Sequence, residues 1–143
     1  MLIVPDTHVL ISGAALRPSY TGQIIRAWRE KRLGVVTSEL ILIELRRVLN
    51  YPEVIAIHGW SDPERTAFVA DVRAGAVMVS GATAVNICAD PKDNKFFACA
   101  LEARAAYIVS KDRHLLDVGV YQGIQTVKPG YFVNQVLKAG QII

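Results

Sequence analysis

The feature that most constrains the fold of this chain is an alternation of short apolar segments with longer segments of helical periodicity. The apolar segments predict strands at residues 2–4, 34–36, 76–79, 106–109 and 124–127. The longer segments predict helices at about residues 20–32, 38–50, 63–73, 90–104 and 129–139. Strands that are apolar without alternation are typical of a sheet covered on both faces, and alternating strands and helices favour parallel pairing. We therefore predict an α/β fold, a three-layer α/β/α domain with a central parallel sheet of about five short strands.

The composition is that of an ordinary globular protein. Of the 143 residues, 52% are apolar and 20% are charged, which argues against a disordered or fibrous chain and fits one domain, residues 1–143. The mean hydropathy of +0.28 is high, but the longest uncharged stretch, residues 74–89, is shorter than the roughly 20 apolar residues of a spanning helix. An acid already stands at position 6, too early for a signal peptide. We expect a soluble, cytoplasmic protein with no membrane partner.

Cysteine content, histidine content and net charge narrow the function classes only a little. Cys88 and Cys99 form no CxxC pair, and the histidines at positions 8, 58 and 114 form no HExxH motif. The usual spacings of zinc ligands are therefore absent, and both cysteines are expected to be buried thiols. The net charge of +3 and the pI near 9.0 are compatible with an acidic polymer as partner.

Two aspartates directly follow predicted strands. Asp6 comes after the first strand, and Asp112 comes after the fourth. Ligands of open parallel sheets bind at the carboxyl ends of the strands, so both positions are candidates for a functional site. Each aspartate also has an ordinary alternative role as the N-cap of the helix that follows.

A second pair of aspartates, Asp90 and Asp93, opens the fourth predicted helix. Asp90 precedes a proline and is interpreted as the cap itself. Asp93 shares one helical face with Phe97 and Ala100, which predicts that its carboxylate points inward along a packed surface. The alternative is that Asp93 only complements the helix dipole.

Glu44 is predicted to lie on an apolar helix face. At about 100° per residue, it falls between Leu40 and Val48, in the arc that also holds Ile41 and Leu45. A carboxylate on a buried face is costly unless it is paired or coordinates a metal. The alternatives are that Glu44 meets an Arg or Lys from elsewhere, or that it lies at the margin of the face and reaches water.

Together, these four acids are predicted to converge at one end of the sheet without an obvious set of balancing cations. Carboxylate oxygens are hard ligands that suit Mg²⁺ or Mn²⁺. A metal bound there can activate a water and stabilise charge on a scissile phosphate. Phosphoryl chemistry is therefore the favoured function class on the residues alone.

Four segments resemble, in order along the chain, the motifs of PIN-domain nucleases. Residues 4–12 resemble the family's opening, in which an Asp-Thr pair, here Asp6-Thr7, follows the first strand. Residues 38–45 resemble the second motif, which ends in an acid. Residues 90–96 resemble the third, with Asp93 the best match to its acid. Residues 107–116 are similar to the Thr-x-Asp segment, with a serine in place of the threonine.

This resemblance covers essentially the whole chain and implies a single PIN-like nuclease domain. It implies a Mg²⁺- or Mn²⁺-dependent endoribonuclease, usually a homodimer, that is inhibited by a small antitoxin protein. The size of the chain and its Glu-Leu-Arg-Arg-Val-Leu sequence most resemble the toxin components of toxin–antitoxin systems related to VapC. Carried over by position, the metal-holding, catalytic acids are Asp6, Glu44, Asp93 and Asp112. The hydroxyls of Thr7 and Ser110 would support them by hydrogen bonds.

One departure from the family pattern and one set of cations bear on activity. His8 stands where the family usually has a small polar residue, and it either touches a phosphate or packs at the helix start. RNA binding requires cations near the acids, where they position phosphates without reading bases. The candidates are Arg46, Arg47, Lys92, Lys95, Lys111 and Arg113. The alternative for each is ordinary solvated surface charge.

Three other function classes also have an acid after the first strand. A haloacid-dehalogenase phosphatase needs a second Asp two residues after the first, and that position is His8, so this class is rejected. A receiver domain needs an acidic pair at the first strand and a phospho-accepting Asp after a middle strand. Asp6 has no acidic neighbour and Ser80 follows the third strand, so this class is disfavoured. The remaining alternative is a non-catalytic PIN-like module that binds RNA or a protein.

Overall fold

The centre of the fold is a six-stranded sheet in a computed structural model that describes residues 1–139. Its strands are β1 (Leu2–Pro5), β2 (Gly34–Thr37), β3 (Val77–Met78), β4 (Tyr107–Val109), β5 (Val120–Tyr121) and β6 (Ile124–Val127). Their order across the sheet is β3-β2-β1-β4-β6-β5. Neighbouring strands are parallel except for β5 and β6, which are antiparallel. The predicted α/β fold with a mainly parallel sheet is confirmed.

The sheet has six strands where the sequence predicted about five. The additional strand, β5, has two residues and joins β6 through a tight turn at Gln122 and Gly123, whose φ angles are 49° and 83°. Two positive φ angles are what the common two-residue turn between antiparallel strands requires. The apolar residues of β5 are bounded by Gly119 on one side and by Gln122 and Gly123 on the other, so they do not form a run long enough to predict a strand.

Helices flank this sheet. They are α1 (Thr7–Ala15), α2 (Tyr20–Arg29), α3 (Glu39–Leu49), α4 (Pro52–His58), α5 (Asp62–Gly75), α6 (Asn94–Ala103), α7 (Arg113–Leu116) and α8 (Pro129–Tyr131), which continues as a π-helix over Phe132–Leu137. Two predictions need correction. No helix was predicted between residues 50 and 63, but α4 lies there, and Pro52 opens it at a position where its missing N–H costs no helical hydrogen bond. The helix predicted from Asp90 starts as a separate 3₁₀ turn, Pro91–Asp93, before α6 begins.

Both faces of the sheet are buried under helices. Val4 of β1 and Ile108 of β4 pack with Phe97 of α6 in one apolar cluster. Ile3, the neighbour of Val4, points to the opposite face and packs in a second cluster with Ile24 of α2. All five side chains are fully buried. Because adjacent strand residues are both buried, the strands read as unbroken apolar runs, and the three-layer prediction is confirmed.

The register of the sheet brings the carboxyl ends of β1 and β4 side by side. Pro5 is paired with Val109, and the Asp6 N–H donates to the Val109 carbonyl at 3.0 Å. The Ser110 N–H in turn donates to the carbonyl of Val127, at the end of β6, at 3.0 Å. The residues that directly follow β1 and β4 are therefore neighbours at one end of the sheet.

Two further expectations concern membranes and thiols. In the described part of the chain, every helix is too short or too polar to cross a bilayer. Cys88 and Cys99 are free, buried thiols, as predicted. Burial, reinforced by nearby carboxylates, raises the pKa of Cys88 to about 11, so this thiol is protonated at neutral pH.

Candidate active site

Asp6 is nearly fully buried at the end of β1. Its Oδ1 accepts the N–H of Val9 at 2.8 Å and caps α1, so the capping interpretation holds for one of its two oxygens. Its Oδ2 accepts a hydrogen bond from the Ser110 hydroxyl. Burial raises the pKa of Asp6, the two hydrogen bonds oppose that shift, and the charge of Asp112 adds to it. Asp6 is therefore a firmly held carboxylate within electrostatic reach of a second acid.

Ser110 connects Asp6 to Asp112. The serine is fully buried directly after β4, and its Oγ both donates to Asp6 and accepts the Asp112 N–H at 2.8 Å. Asp112 is exposed and caps α7 by accepting the N–H of His114 at 2.8 Å. One buried hydroxyl thus joins the segments that carry the first and the fourth predicted acids.

Glu44 lies at the margin of the buried face of α3, and the predicted arc was partly wrong. Leu40 is 56% exposed, whereas Leu45 and Val48 are buried among residues of α1, α4 and α5. Because α3 packs on those helices, its buried face is rotated away from Leu40. The Glu44 side chain is therefore only 18% exposed but stands at the edge of the core.

Both carboxylate oxygens of Glu44 have partners from the chain itself. The Thr7 hydroxyl donates to Oε2, and the Lys95 ammonium donates to Oε1 at 3.0 Å. The Arg47 guanidinium is 4.0 Å from the same Oε1. The expectation that no cation balances the acids was therefore wrong for Glu44, and the alternative, a basic partner from elsewhere in the chain, describes it.

Asp93 is buried, and its pKa is raised to about 6. The first cause is burial, and the next are the negative charges of Asp112 and Asp90, with a smaller contribution from Glu44. The positive charge of Lys95 opposes the shift. The free energy of ionising Asp93 therefore depends on the charges of Asp112 and Glu44, two other acids of the predicted set.

The two aspartates of the third motif have different surroundings. Asp90 is half-buried and caps the 3₁₀ turn by accepting the N–H of Lys92 at 3.0 Å, as the sequence predicted. Asp93 is buried together with Phe97 and Ala100, the residues predicted to share its face. Between the two, Asp93 is the better candidate for a site residue.

The donor chemistry of this acid cluster, which consists of Asp6, Glu44, Asp93 and Asp112, fits a hard divalent cation. The donors are carboxylate oxygens, and a nearby positive charge opposes the burial and the carboxylate repulsion that raise the pKa of Asp93. Within residues 1–139, however, no three Asp, Glu, His or Cys side chains are close enough together to share one ion. The oxygens of Asp6 and Glu44 are instead satisfied by Ser110, Thr7 and Lys95.

Most of the predicted RNA-binding cations are on the surface. The exposed ones are Arg46, Arg47, Lys92, Lys111 and Arg113. Arg113 lies 4.0 Å from the carboxylate of Asp117. Lys95 differs, because only 13% of its side chain is exposed. His8 is exposed in the first turn of α1, where its charge is one of the smaller influences that lower the pKa of Asp6.

A groove of about 420 Å³ opens beside Glu44. Leu40 and Ile43, each 56% exposed, line its apolar part. Its charged lining consists of Glu44, Arg47, Lys92 and Lys95. An apolar surface bordered by several cations suits a ligand that combines apolar rings with negative charge.

Sequence reasoning missed Glu102, which fixes one end of the long loop between β3 and α6. Its carboxylate accepts the Thr83 N–H at 3.0 Å, the Ser80 hydroxyl at 2.7 Å and the Gly81 N–H at 2.9 Å. These hydrogen bonds, that of Thr83 first, lower the pKa of Glu102 to about 2. The loop contributes Gly81 and Thr83 to the groove, so Glu102 shapes the wall of the site from a distance.

Asn94, also missed, fixes the other end of that loop. Its Oδ1 accepts the N–H groups of Ile87 and Cys88 at 3.0 and 2.9 Å. The only sequence signal was indirect: an irregular loop needs acceptors for its backbone N–H groups, and polar residues on the following helix are candidates.

A family model described as "PIN domain" matches residues 3–114, which is most of the chain. The matched range includes Asp6, Glu44, Asp93 and Asp112. No curated protein matches the chain at a significant level.

Proposed function

The chain belongs to the PIN-domain family, and on that premise we propose that it is a Mg²⁺- or Mn²⁺-dependent endoribonuclease that hydrolyses phosphodiester bonds in RNA. PIN domains are generally nucleases and generally use divalent metal ions. The observation that carries the proposal is the Ser110 hydroxyl, which contacts both the Asp6 carboxylate and the Asp112 backbone. It joins the first and fourth acids at the end of the sheet where ligands of parallel sheets bind.

The proposal assigns the metal to carboxylates that follow strands or begin helices. The proposed ligands are Asp6, Glu44, Asp93 and Asp112. A divalent ion held there supplies activation of a water and stabilisation of negative charge on the scissile phosphate. Thr7 and Ser110 orient two of these carboxylates, because each hydroxyl donates to one of them.

In this proposal, the second role of the chain is to position the RNA. We assign contacts with phosphates to the basic residues around the acids, which are Arg46, Arg47, Lys92, Lys95, Lys111 and Arg113. Such contacts fix the position of the RNA backbone without selecting a base. The groove beside Glu44 supports this assignment, because three of these cations line it together with exposed aliphatic side chains.

We extend the proposal to a biological role as the toxin of a toxin–antitoxin pair. In this role residues 1–143 form a single PIN-like nuclease domain, act in the cytoplasm as a homodimer, and are inhibited by a small antitoxin protein. The support is the sequence of residues 44–49, Glu-Leu-Arg-Arg-Val-Leu, which resembles sequences of the VapC-related group. Co-purification of the chain with a small protein from its native host tests this extension.

A second candidate function is a non-catalytic PIN-like module that binds RNA or a protein. The ion pair between Glu44 and Lys95 favours this candidate, because a carboxylate already neutralised by a lysine has less need of a metal. The two candidates differ in one outcome, metal-dependent cleavage.

The experiment that tests the proposal compares Asp93→Asn with Asp90→Asn in an RNA cleavage assay with Mn²⁺ and with EDTA. We expect Asp93→Asn to lower the cleavage rate by at least about a hundredfold, because it removes a ligand charge with little change of shape. Asp90→Asn is the matched control and is expected to keep cleavage within a few-fold of the wild type. The reverse result would assign the third acid to Asp90, and absence of cleavage by the wild type would favour the binding module.

A further inference from the structure

Lys95 is held more firmly than an ordinary surface lysine. It lies in the first turn of α6, and its ammonium donates to Glu44 Oε1 at 3.0 Å and to the carbonyl of Lys92 at 2.5 Å. The same ammonium is 4.8 Å from the centre of the Phe96 ring. Three separate contacts therefore fix the position of this positive charge.

The pair of Lys95 and Glu44 also differs from the other ion pairs among residues 1–139. Its side chains are 13% and 18% exposed, whereas in every other pair at least one partner is more than one third exposed. An exposed pair contributes little, because water and salt screen it. A pair removed from water interacts more strongly, and separating its charges is correspondingly costly.

Glu44 has no unengaged oxygen in this arrangement. Thr7 donates to Oε2 and Lys95 donates to Oε1. A hydroxyl can rotate and donate elsewhere, but a partly buried ammonium cannot leave a carboxylate without losing a charge–charge interaction. Any cation that approaches Glu44 must therefore displace Lys95 or share the carboxylate with it.

We propose that Lys95 is the built-in counter-ion of Glu44 and competes with a divalent metal ion for its carboxylate. The inference rests on the proposed function, since it takes Glu44 as a metal ligand. It gives Lys95 a role that differs from contact with RNA phosphates, because the competition is present before any RNA binds. The consequence is that the affinity of the protein for metal is set partly by a lysine that is not itself a ligand.

The test is a calorimetric titration of the full chain with Mn²⁺, without RNA, for the wild type, Lys95→Met and Lys92→Met. Removing a positive charge 3.0 Å from the ligand oxygen should tighten Mn²⁺ binding by about tenfold or more. Lys92→Met is the matched control: it removes the same charge from an exposed residue in the same groove, and its effect should stay within about threefold. Unchanged or weaker binding by Lys95→Met would overturn the inference.

Two additions separate a direct interaction from other effects. In a Glu44→Gln background, Lys95→Met should tighten Mn²⁺ binding no more than Lys92→Met does, because the paired charge is gone. Lys95→Gln, which keeps a polar tip without the charge, should reproduce the tightening and guards against a folding defect of the Met variant. An equal gain in both backgrounds would contradict a direct competition for Glu44.

The outcomes also distinguish this inference from the proposed function. Wild-type binding of Mn²⁺ that Lys95→Met does not tighten would overturn the role of Lys95 and leave the metal-dependent nuclease standing. Binding by Lys95→Met but not by the wild type would support the competition in its strongest form. Absence of Mn²⁺ binding in every variant would overturn both.

Discussion

Asp93 and Glu102 lie at opposite ends of α6, and their surroundings shift their pKa values in opposite directions. Three donors from the loop after β3, the Thr83 N–H first among them, lower the pKa of Glu102 to about 2. Burial and the charges of Asp112 and Asp90 raise the pKa of Asp93 to about 6. The fold therefore stabilises the ionised form of Glu102 and destabilises the ionised form of Asp93.

The difference indicates which acid is structural. A structural carboxylate collects hydrogen bonds and stabilises the folded chain as an ion. A carboxylate that is buried beside other carboxylates lowers stability when ionised, and such groups are concentrated at functional sites. By this criterion Asp93 and Asp6, whose pKa values are raised first of all by burial, are the candidates for functional acids, and Glu102 is an anchor for the loop.

The largest expected difference between Asp93 and Glu102 is in how their substitution changes the melting temperature at different pH values. The pKa of Asp93 is raised from an ordinary value of 3.8, so its ionisation destabilises the fold as pH rises through about 6. In EDTA at pH 7.5, Asp93→Asn should therefore melt several degrees above the wild type, and this gain should disappear near pH 4.

Glu102→Gln should behave in the opposite way. The pKa of Glu102 is lowered from 4.5, so its stabilising contribution is present above about pH 4.5 and is lost as pH falls toward 2. We expect Glu102→Gln to melt a few degrees below the wild type at pH 7.5 and to approach it near pH 2 to 3. A change of melting temperature in the same direction for both variants at pH 7.5 would contradict this difference between Asp93 and Glu102.

A smaller effect is expected at Asp112, which is exposed and therefore better screened by solvent. Its charge raises the pKa values of both Asp93 and Asp6. Asp112→Asn should raise the melting temperature in EDTA by a degree or two, because it relieves this repulsion. It should also reduce the stabilisation gained on adding Mn²⁺, since a ligand that binds only the native state stabilises it by mass action. Equal Mn²⁺ shifts in variant and wild type would remove Asp112 from the ligand set.

The sequence predicted the parts of this molecule that depend on local pattern. The residues after β1 and β4 could be placed at one end of the sheet, because the apolar runs that precede them are short and well bounded. Helical spacing predicted that Asp93 shares a packed face with Phe97 and Ala100, and all three residues are buried. The buried face of α3 was less well predicted: Leu40 is exposed because helices α1, α4 and α5 determine which side of α3 is covered.

The contacts that decide the electrostatics of the site could not be predicted, because they join residues distant in sequence. Lys95 and Glu44 are 51 positions apart, and Glu102 and Gly81 are 21 positions apart. Neither pair has a periodic or motif-like signal, since each depends on how α6 packs against α3 and against the loop. Ser110 could be named from the resemblance, but its contact with Asp6 follows only from the register of β1 and β4.

The central claim is that the acid cluster is a metal-dependent nuclease site. Its most direct test compares the wild type with Glu44→Gln in two measurements. These are the RNA cleavage rate with Mn²⁺ and the RNA affinity in EDTA at one stated salt concentration. If Glu44 holds metal, Glu44→Gln should lower cleavage by orders of magnitude while RNA affinity is retained or improved, because phosphates meet one negative charge fewer. Cleavage by Glu44→Gln at the wild-type rate would contradict the assignment of Glu44. A wild-type protein that binds RNA but does not cut it at any Mn²⁺ concentration, when free of any partner, would contradict the nuclease itself.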